Sequence, residues 1–386
     1  MEKDRYKAIP PFSLVPGDLP DFQIYMRTEE GKFVLWAVDG NKVSMEKLGR
    51  LTEGGRKEIF ISLEDEFKYD LHLEANLGKI LENEQVPTDN KASIFTRVST
   101  NVVKETFESS LGLGAMSREA LERTKAMVES ALAFIAESKS LHALAKMIGH
   151  DYQTYEHATK VLWFTVAFLK MYPETLDQIE TGHEEHEELD DSLRKDLLKQ
   201  CGVGALLHDI GKALIAQEII NKNAPLTEVE WEIVKRHPLN SLAMLLEADL
   251  PLFVKQGMVY HHENFHGGGY PMGIAGESIP PLARLLRIID VFEAMTSRRP
   301  YKDPMPPLKA AQIMIGTPEN GNGDKAPQPD DGDGTNPEQA GDDGEKEKAA
   351  AEDAKRDARD RGMRQCFDID MLRKFIVFLG NVKLDS

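Results

Sequence analysis

Apolar residues recur with helical spacing through most of the chain between residues 92 and 315. The spacing i, i+3, i+4, with few β-branched runs, is clearest in SREALERTKAMVESALAFIAES, YEHATKVLWFTVAFLKMY and LTEVEWEIVKRH. Ser117, followed by Glu119 and Glu122, is typical of a helix start near a capping box. Because each such helix has an apolar face that must pack against another element, the sequence predicts a mostly helical bundle over this region.

The first 90 residues show a different pattern, in which short strand signals are separated by turns. FQIYMR and KFVLWAV stand on either side of the turn-like EEG and predict a β-hairpin, and EIFISL is a further strand candidate. FKYDLHLEANLGKILEN has helical spacing. The sequence predicts a small α+β N-terminal domain over residues 1–90. It contains no catalytic spacing, so a regulatory or partner-binding role is a hypothesis for it.

A polar segment interrupts the helical pattern at residues 316–362. It is rich in Gly, Pro, Asp and Glu and has no hydrophobic periodicity, which predicts disorder. The amphipathic pattern returns in CFDIDMLRKFIVFLG. We therefore predict a helical domain over residues 92–386 that is interrupted by an acidic insert.

The overall charge and composition exclude some classes of protein. Hydrophobic residues make up 41% of the 386 residues, enough for a sizeable core, and the formal net charge is −18. Binding along DNA or RNA backbones needs a basic face, so we expect no nucleic-acid partner. A small anionic substrate is still compatible with this charge, because bound cations can invert the local field.

Cysteine use and hydropathy predict where the chain resides. Cys201 and Cys366 form neither a disulfide framework nor a CxxC metal knuckle. The N-terminal MEKDRYKAIPPF lacks the apolar segment of a signal peptide. The longest strongly apolar run, Val161–Leu169, has about half the length that a membrane helix needs. We expect a cytoplasmic protein without membrane insertion.

Histidines and aspartates occur together on the predicted helices or at their ends. Five imidazoles and two carboxylates form this set: His157, His208, Asp209, His237, His261, His262 and Asp290. Neutral imidazole with carboxylate suits iron, manganese, zinc and similar divalent cations, and the lack of thiolate disfavours a structural zinc knuckle. Singly, each could be a hydrogen-bonding or capping residue. For the other histidines His72, His142, His183 and His186 we expect a structural or solvated role. If none of the seven bound a metal, a hydrogen-bonding or capping role would have to apply to each of them separately within one domain, so the set as a whole favours metal binding.

The adjacency of His208 and Asp209 has a chemical use. Neighbours on a helix project about 100° apart, so one side chain can bind a cation while the other bridges two. Two cations about 3.5–4 Å apart can clamp a phosphodiester and lower the pKa of a bridging water. The expected reaction is then in-line attack of hydroxide on phosphorus, with charge on the phosphate oxygens stabilised by the cations.

Two longer segments carry a resemblance to a known family. HDIGKALIAQEIINKNAPLTEVEWEIVKRHP and HHENFHGGGYPMGIAGESIPPLARLLRIIDVFEAMTSRRPYK closely resemble the HD-GYP subgroup of the HD phosphohydrolases. The resemblance runs from about residue 150 to 302, resumes in FDIDMLRKFIVFLG, and covers roughly half of the chain. It implies a helical HD fold, a di- or trinuclear metal centre, and hydrolysis of cyclic di-GMP to pGpG or GMP.

The resemblance also implies roles for individual residues. It implies that the metal ligands are the seven histidines and aspartates named above, with Asp209 as the bridging carboxylate. Lys212 matches the lysine that faces the scissile phosphate, and Tyr270 lines the same pocket. Arg299 and Lys302 match positions that hold substrate phosphates. Asp151 matches an acidic residue near the attacking water, for which we consider a proton-accepting role.

The sequence departs from the family pattern at three positions. Members with three metals carry a glutamate four residues before the first histidine, where this chain has Gln153, so we expect two metals, with iron first and manganese as the alternative. His266 stands where Asp or Asn is common before the first glycine, and could alter the pairing of the loop or offer an extra ligand. Glu293 stands where Asp is usual after Asp290.

Several functional hypotheses remain at this stage. The first is an active cyclic di-GMP phosphodiesterase. The second is a module that senses cyclic di-GMP or docks onto diguanylate cyclase domains without hydrolysis; loss of ligands would indicate it, and all seven are present. The third is a phosphodiesterase for another cyclic dinucleotide, such as cyclic GMP-AMP. The GYP segment disfavours hydrolysis of nucleotides or (p)ppGpp. Modules of this kind commonly assemble as homodimers, which is our expectation here.

Overall fold

A computed structural model describes the protein over residues 5–15, 21–37, 46, 51, 58–135, 154–181, 190–222, 224–297, 303–316 and 362–382. The strands are β1 (Tyr6–Ile9), β2 (Ile24–Arg27), β3 (Phe33–Ala37) and β4 (Ile59–Ser62). The α-helices are α1 (Glu66–Ala75), α2 (Leu77–Glu82), α3 (Thr88–Leu113), α4 (Arg118–Ile135), α5 (Thr154–Met171), α6 (Pro173–Thr181), α7 (Asp191–Leu207), α8 (Gln217–Ile220), α9 (Glu228–Val234), α10 (His237–Met244), α11 (Leu252–Tyr260), α12 (Pro281–Thr296), α13 (Pro307–Ile315) and α14 (Ile369–Val382). The predicted fold class, mainly α with a small α+β N-terminal region, is confirmed.

The four strands form one antiparallel sheet in the order β1-β4-β2-β3. Strands β2 and β3 are the predicted hairpin, and Gly31 N donates to Thr28 O across its turn at 2.9 Å. Strand β4 is the predicted EIFISL strand. Strand β1 was not predicted, because the four residues YKAI are too short a run for a period of two to be recognised.

Helices α1 and α2 connect the sheet to the helical part. Buried Ile61 of β4 and Leu73 of α1 belong to the same hydrophobic core as Phe95 of α3. Arg97 of α3 adds an ion pair to Asp70 of α1, with 2.5 Å between Nε and Oδ1. The core is therefore continuous from the sheet into the helices. The boundary near residue 90 and the extent of the second domain stay predictions.

Helix α5 lies at the centre of the helical part and is apolar almost all round. Phe164 and Phe168 are fully buried, and helices α3, α7 and α12 pack against α5. Helix α14, which follows the acidic segment in sequence, brings Phe375 and Phe378 against the same two rings. The chain thus returns to this core after the segment. Ser117 caps α4 as predicted, with its Oγ accepting from Ala120 N at 3.1 Å.

Within the described ranges, no helix is both long and apolar enough to cross a membrane. The longest apolar run, Val161–Leu169, is part of α5 and is buried. Residues 317–361, nearly all of the acidic segment, lie outside the described residues, so its disorder stays a prediction.

Candidate metal centre

Five separate elements bring the predicted ligands together. Helix α5 carries His157 near its start, and α12 carries Asp290 on its side. His208 and Asp209 follow the end of α7, and His237 begins α10. The last two, His261 and His262, follow the end of α11. All seven predicted ligands meet at one place, although about 130 residues separate the first from the last.

Three residues form a first cluster around one possible cation position: His157, His208 and Asp209. Nε2 of His157 lies 3.3 Å from Nε2 of His208 and 3.7 Å from Oδ2 of Asp209. Oδ1 of Asp290 lies 3.2 Å from Nε2 of His157, so it borders the same position. All three members are at most 2% exposed, which keeps the position within the protein.

A second cluster shares Asp209 with the first and is completed by His237, His261 and His262. One ligand atom from each of its four members lies within 4.8 Å of the others. Oδ1 of Asp209 lies 3.2 Å from Nε2 of His237 and 3.8 Å from Nε2 of His261. Because Oδ2 faces the first cluster and Oδ1 the second, Asp209 stands where a bridging carboxylate would stand.

Backbone carbonyls fix the orientation of three of the imidazoles. Nδ1 of His208, His237 and His261 lies 2.7, 2.8 and 2.6 Å from the carbonyl oxygen three residues earlier in each case. A carbonyl oxygen can only accept, so each Nδ1 carries the proton and donates it. The neutral ring then has its lone pair on Nε2, the nitrogen that faces the clusters.

This arrangement of lone pairs fits a bound cation. Nε2 of His237 and Nε2 of His261 face each other at 3.3 Å, and neither has a proton to share. Oδ1 of Asp209 is buried and has no hydrogen-bond donor in the described part of the chain. Converging lone pairs of this kind repel one another unless a positive charge lies between them. Imidazole with carboxylate is a donor set for iron, manganese or zinc.

The carboxylates of the centre are held in their charged form. Burial alone would raise the pKa of Asp209, but the Lys212 ammonium and His208 hold it well below its usual range. Burial also opposes ionisation of Asp290, but the neighbouring His157 holds its pKa well below the ordinary value. Both groups therefore present negative charge to a cation.

The imidazoles of the second cluster are held in their neutral form. Burial lowers the pKa of His237 and lowers those of His261 and His262 well below the ordinary value. Neighbouring imidazoles add to the effect of burial for the latter two. Neutral imidazole is the form that binds metals, so protonation does not compete at neutral pH.

Gly211, in the HDIGK segment, allows this geometry. A Cβ at Gly211 would lie 2.1 Å from the carbonyl oxygen of His237 and 2.4 Å from Ser241 N, so only glycine fits there. The backbone of the 3₁₀ turn Ile210–Leu214 can therefore pass directly against the start of α10. Gly211 N also donates to Ser241 Oγ at 2.9 Å. This close approach brings His237 to Asp209.

Lys212, the predicted phosphate-facing lysine, lies beside the bridging carboxylate. Its Nζ donates to Oδ2 of Asp209 at 2.6 Å. Its side chain is 21% exposed, whereas that of Asp209 is 1% exposed. The ammonium thus lies at the edge of the buried centre, where a bound anion could reach it.

The glycine-rich loop covers the second cluster. Tyr270 stacks on the ring of His262 with centroids 4.7 Å apart and planes 20° apart. A Cβ at Gly269 would lie 2.4 Å from Asn264 N and 2.5 Å from Cα of Glu263, so the loop folds back on itself only with glycine there. Oε1 of Glu263 accepts from Met272 N at 2.7 Å and holds the far side of the loop. The loop therefore places Tyr270 next to a predicted ligand.

His266 contacts the backbone of Gln365 through its own backbone and its ring, and an altered pairing of the loop relative to the family stays a prediction. Its backbone N donates to Gln365 O at 3.2 Å, and its Nδ1 lies 2.8 Å from the same oxygen. Phe265 N donates to Cys366 O at 3.0 Å. The side chain is exposed, and it belongs to neither cluster. The segment that follows the acidic insert is thereby joined to the glycine-rich loop.

Two residues around the centre had no role in the sequence analysis. Glu293, noted only as a departure, lies one helical turn after Asp290, with Oε2 at 2.5 Å from Nδ1 of His157. Arg287, one turn before Asp290, has Nη1 at 3.3 Å from Nδ1 of His262. The sequence offered one signal for both residues: they lie three positions after and three positions before Asp290 on the same helix, and residues at this spacing are neighbours on a helix face. Sequence alone did not indicate which imidazoles they would face.

Some predicted residues lie outside the described ranges. These include the substrate-binding Arg299 and Lys302, the proton acceptor Asp151 and the departure at Gln153. Of the four histidines expected to have no ligand role, His142, His183 and His186 lie there too. His72 is buried in α1 against the ring of Phe22 and belongs to neither cluster.

Comparison with known proteins finds similarity to the HD domain family and to cyclic dinucleotide phosphodiesterases. Residues 171–322 match the family model described as HD domain. A cyclic di-GMP phosphodiesterase of Pseudomonas aeruginosa, PA4108, is 34% identical over 175 residues, or 45% of this chain and 38% of that protein. The cyclic di-GMP phosphodiesterase response regulator RpfG of Xanthomonas campestris is 41% identical over 114 residues, or 29% of this chain and 30% of that protein. A 3′3′-cGAMP-specific phosphodiesterase of Vibrio cholerae is 36% identical over 110 residues, or 28% of this chain and 24% of that protein.

These relatives are matched over only part of their length, at most 38% among the three. A solved structure, that of the HDG"Y"P protein Bd1817 from Bdellovibrio bacteriovorus, is similar with a TM-score of 0.52. It is 19% identical and the match covers 80% of this chain and 93% of that chain, so this likeness concerns the fold alone. The match to the HD domain model lies within the helical part of the chain, in agreement with the resemblance to the HD-GYP subgroup that the motifs carry.

Proposed function

We propose that this protein is a metal-dependent phosphodiesterase that hydrolyses cyclic di-GMP. The observation that carries the proposal is the position of Asp209, whose two oxygens face two clusters of imidazoles, all buried except the half-buried His262. A bridged pair of cations is an arrangement that suits hydrolysis of a phosphodiester. The relatives named as cyclic dinucleotide phosphodiesterases support the same reaction class.

All seven predicted ligands are proposed to hold two divalent cations, iron first and manganese as the alternative. The pair, when bound, would supply positive charge to the phosphate oxygens and lower the pKa of a bound water. Asp209 supplies the shared negative charge, and the backbone carbonyls behind His208, His237 and His261 keep Nε2 of each ring available.

Other side chains are proposed to bind the substrate. Lys212 can exchange its contact with Asp209 for a charge-assisted hydrogen bond to a phosphate oxygen, because its ammonium lies at the solvent edge of the centre. Tyr270 forms part of the pocket wall beside His262. Arg299 and Lys302 as phosphate ligands and Asp151 as proton acceptor stay proposals from the family resemblance.

In the proposed reaction a water oxygen forms a bond to phosphorus in line with the bond that breaks. The 3′-oxygen of one nucleotide leaves and takes up a proton, which opens the ring to linear pGpG. A second hydrolysis of the same kind would give GMP. A cytoplasmic location, a homodimer and docking to diguanylate cyclase domains also stay proposals.

The test is product analysis with purified protein loaded anaerobically with Fe(II) or Mn(II). Conversion of cyclic di-GMP to pGpG or GMP on chromatography supports the proposal. Absence of turnover with either metal, together with recovery of intact nucleotide after tight binding in calorimetry, would favour a sensor or adaptor module instead.

A second substrate is favoured by one specific observation. One of the relatives is named as specific for 3′3′-cGAMP, so the substrate range of similar domains extends beyond cyclic di-GMP. A competition assay with cyclic di-GMP and 3′3′-cGAMP in one reaction separates the two proposals. Preferential loss of 3′3′-cGAMP would reassign the substrate and leave the reaction class unchanged.

A further inference from the structure

The Nδ1 atoms of the five imidazoles meet two kinds of partner. In four rings, His157, His208, His237 and His261, Nδ1 faces a carbonyl or carboxylate oxygen, which accepts a hydrogen bond. In the fifth ring, Nδ1 of His262 lies 3.3 Å from Nη1 of Arg287. A guanidinium has N–H donors and no acceptor, so this nitrogen has to present its lone pair to the arginine.

Arg287 is held firmly in this position. The residue is 4% exposed, and its Nη2 donates to Oδ1 of Asn264 at 2.8 Å. Asn264 comes two residues after His262, so one guanidinium contacts both side chains of the same loop. A planar guanidinium that makes two such contacts has little freedom to turn its donors away from the imidazole.

The contact opposes cation binding at His262 whichever ring nitrogen is used. If Nδ1 binds the cation, the hydrogen bond from Arg287 is lost. If Nε2 binds it, the ring has to give up the Nε2 proton or move that proton to Nδ1. A proton on Nδ1 would face a guanidinium donor directly, which removes the hydrogen bond and places two donors together.

We propose that Arg287 is a positioning residue that makes His262 a weak ligand, so that the second cluster binds its cation less tightly than the first. This inference rests on the proposed two-cation centre. In the first cluster the outer partner of His157 is the Glu293 carboxylate, whose negative charge favours a cation nearby. The outer partner of His157 in the first cluster is therefore negatively charged, whereas that of His262 in the second cluster is positively charged. One cation is firmly held and the other is exchangeable.

The test is titration of the metal-free full-length chain with Mn(II), in which free ion is counted from its electron paramagnetic resonance signal. Wild-type protein is expected to bind two ions in separate steps, with the second at least about tenfold weaker. That factor is the lower end of the effect that outer partners of metal-binding histidines typically have. Two wild-type affinities within about threefold of each other would overturn the inference.

Two substitutions of the arginine sharpen the test. Arg287→Gln replaces the guanidinium with an amide whose oxygen can accept from Nδ1 of His262, so the second step is expected to tighten about tenfold. Arg287→Lys keeps a cationic donor and is expected to retain the weak second step. An unchanged second step in a folded Arg287→Gln variant would contradict the role assigned to the arginine.

A spectroscopic measurement covers the case in which Arg287→Gln does not fold. The ¹⁵N chemical shifts of the imidazoles in metal-free wild-type protein report which ring nitrogen carries the proton. The signals of His262 are assigned as those lost in His262→Gln. We expect them to show the proton on Nε2, whereas the rings of His208, His237 and His261 carry it on Nδ1. A proton on Nδ1 of His262 would overturn the inference.

None of these measurements uses turnover, so the two proposals can fail separately. A chain that binds two Mn(II) ions unequally and hydrolyses no cyclic dinucleotide retains the inference and loses the proposed function. A chain that hydrolyses cyclic di-GMP and binds both ions equally retains the proposed function and loses the inference.

Discussion

Oε2 of Glu293 lies 2.5 Å from Nδ1 of His157, on the side of the ring away from the cation position. Burial would raise the pKa of Glu293, but His157 and Lys160 lower it to about 2, so the carboxylate is charged. Ser297 Oγ also donates to this carboxylate. The glutamate therefore fixes Nδ1 of His157 as the donor and leaves Nε2 to bind a cation.

Replacement of Glu293 is expected to weaken metal binding at the first cluster. Glu293→Gln removes the negative charge behind His157 and should lower the affinity of the tighter Mn(II) step about 10- to 100-fold. Glu277→Gln is the matched control, because Glu277 is exposed and lies in neither cluster. Unchanged tight binding in Glu293→Gln would show that the carboxylate does not support His157.

Loss of the bridging carboxylate is expected to affect both positions together. Asp209→Asn should reduce bound metal from two ions to at most one and lower turnover of cyclic di-GMP by at least about 100-fold, since one preorganised charged group commonly contributes that much. Metal analysis and product chromatography measure the two effects. Full metal content with normal turnover would rule out a bridging role.

Replacement of Lys212 is expected to separate binding of metal from catalysis. Lys212→Met removes a donor at the edge of the centre and should lower kcat about 100-fold, while both ions remain bound. Lys104→Met is the control, because the Lys104 side chain is 52% exposed and lies on α3. If Lys212→Met loses metal as well as activity, the lysine acts through Asp209 and not through a phosphate.

The close approach at Gly211 predicts a local effect of one methyl group. Gly211→Ala places a Cβ against the His237 carbonyl oxygen, so we expect a loss of about 1–3 kcal/mol in the free energy of unfolding, together with weaker metal binding. Gly380→Ala is the control: a Cβ at this position in α14 has no neighbour within 4 Å in the described part of the chain outside the helix's own backbone, so alanine should be neutral or stabilising. Equal melting temperatures for the two variants would contradict this packing.

Acidification is expected to destabilise the metal-free protein below the ordinary pKa of histidine. The pKa values of His237, His261 and His262 are lowered by burial, so between the folded and ordinary values the unfolded chain binds more protons. Stability therefore falls as the pH drops below about 6.5, by at most about 1.4 kcal/mol per imidazole per pH unit. Asp209 and Asp290, with lowered pKa values, add a loss in the same direction at lower pH.

Thermal denaturation of metal-free protein at several pH values measures this effect. The melting temperature should fall between about pH 7 and pH 5.5, before ordinary carboxylates titrate. A His261→Asn variant should show a smaller decrease, because one of the buried imidazoles is absent. A melting temperature that is constant or rises over this range would show that these imidazoles are not held neutral by burial.

The helices and most of the strands were predictable from sequence because their signals are local. The apolar spacing of α4 and α5 and the turn between β2 and β3 lie within single short segments. Strand β1 was missed because four residues carry too little periodicity, and its pairing partner β4 lies 50 or more positions later in the chain. The sequence also determined the residue types of the centre. The imidazoles and carboxylates of the His208–Asp209 and His261–His262 pairs and of the other three predicted ligands define its chemistry.

Tertiary structure decided which atom of each ligand faces which partner. Oδ1 and Oδ2 of Asp209 face different clusters only because α5, α10 and α11 approach the end of α7 from different sides. The carboxylate behind His157 and the guanidinium behind His262 both come from α12. The direction of a side chain depends on how helices distant in sequence pack together, and no local pattern records that packing.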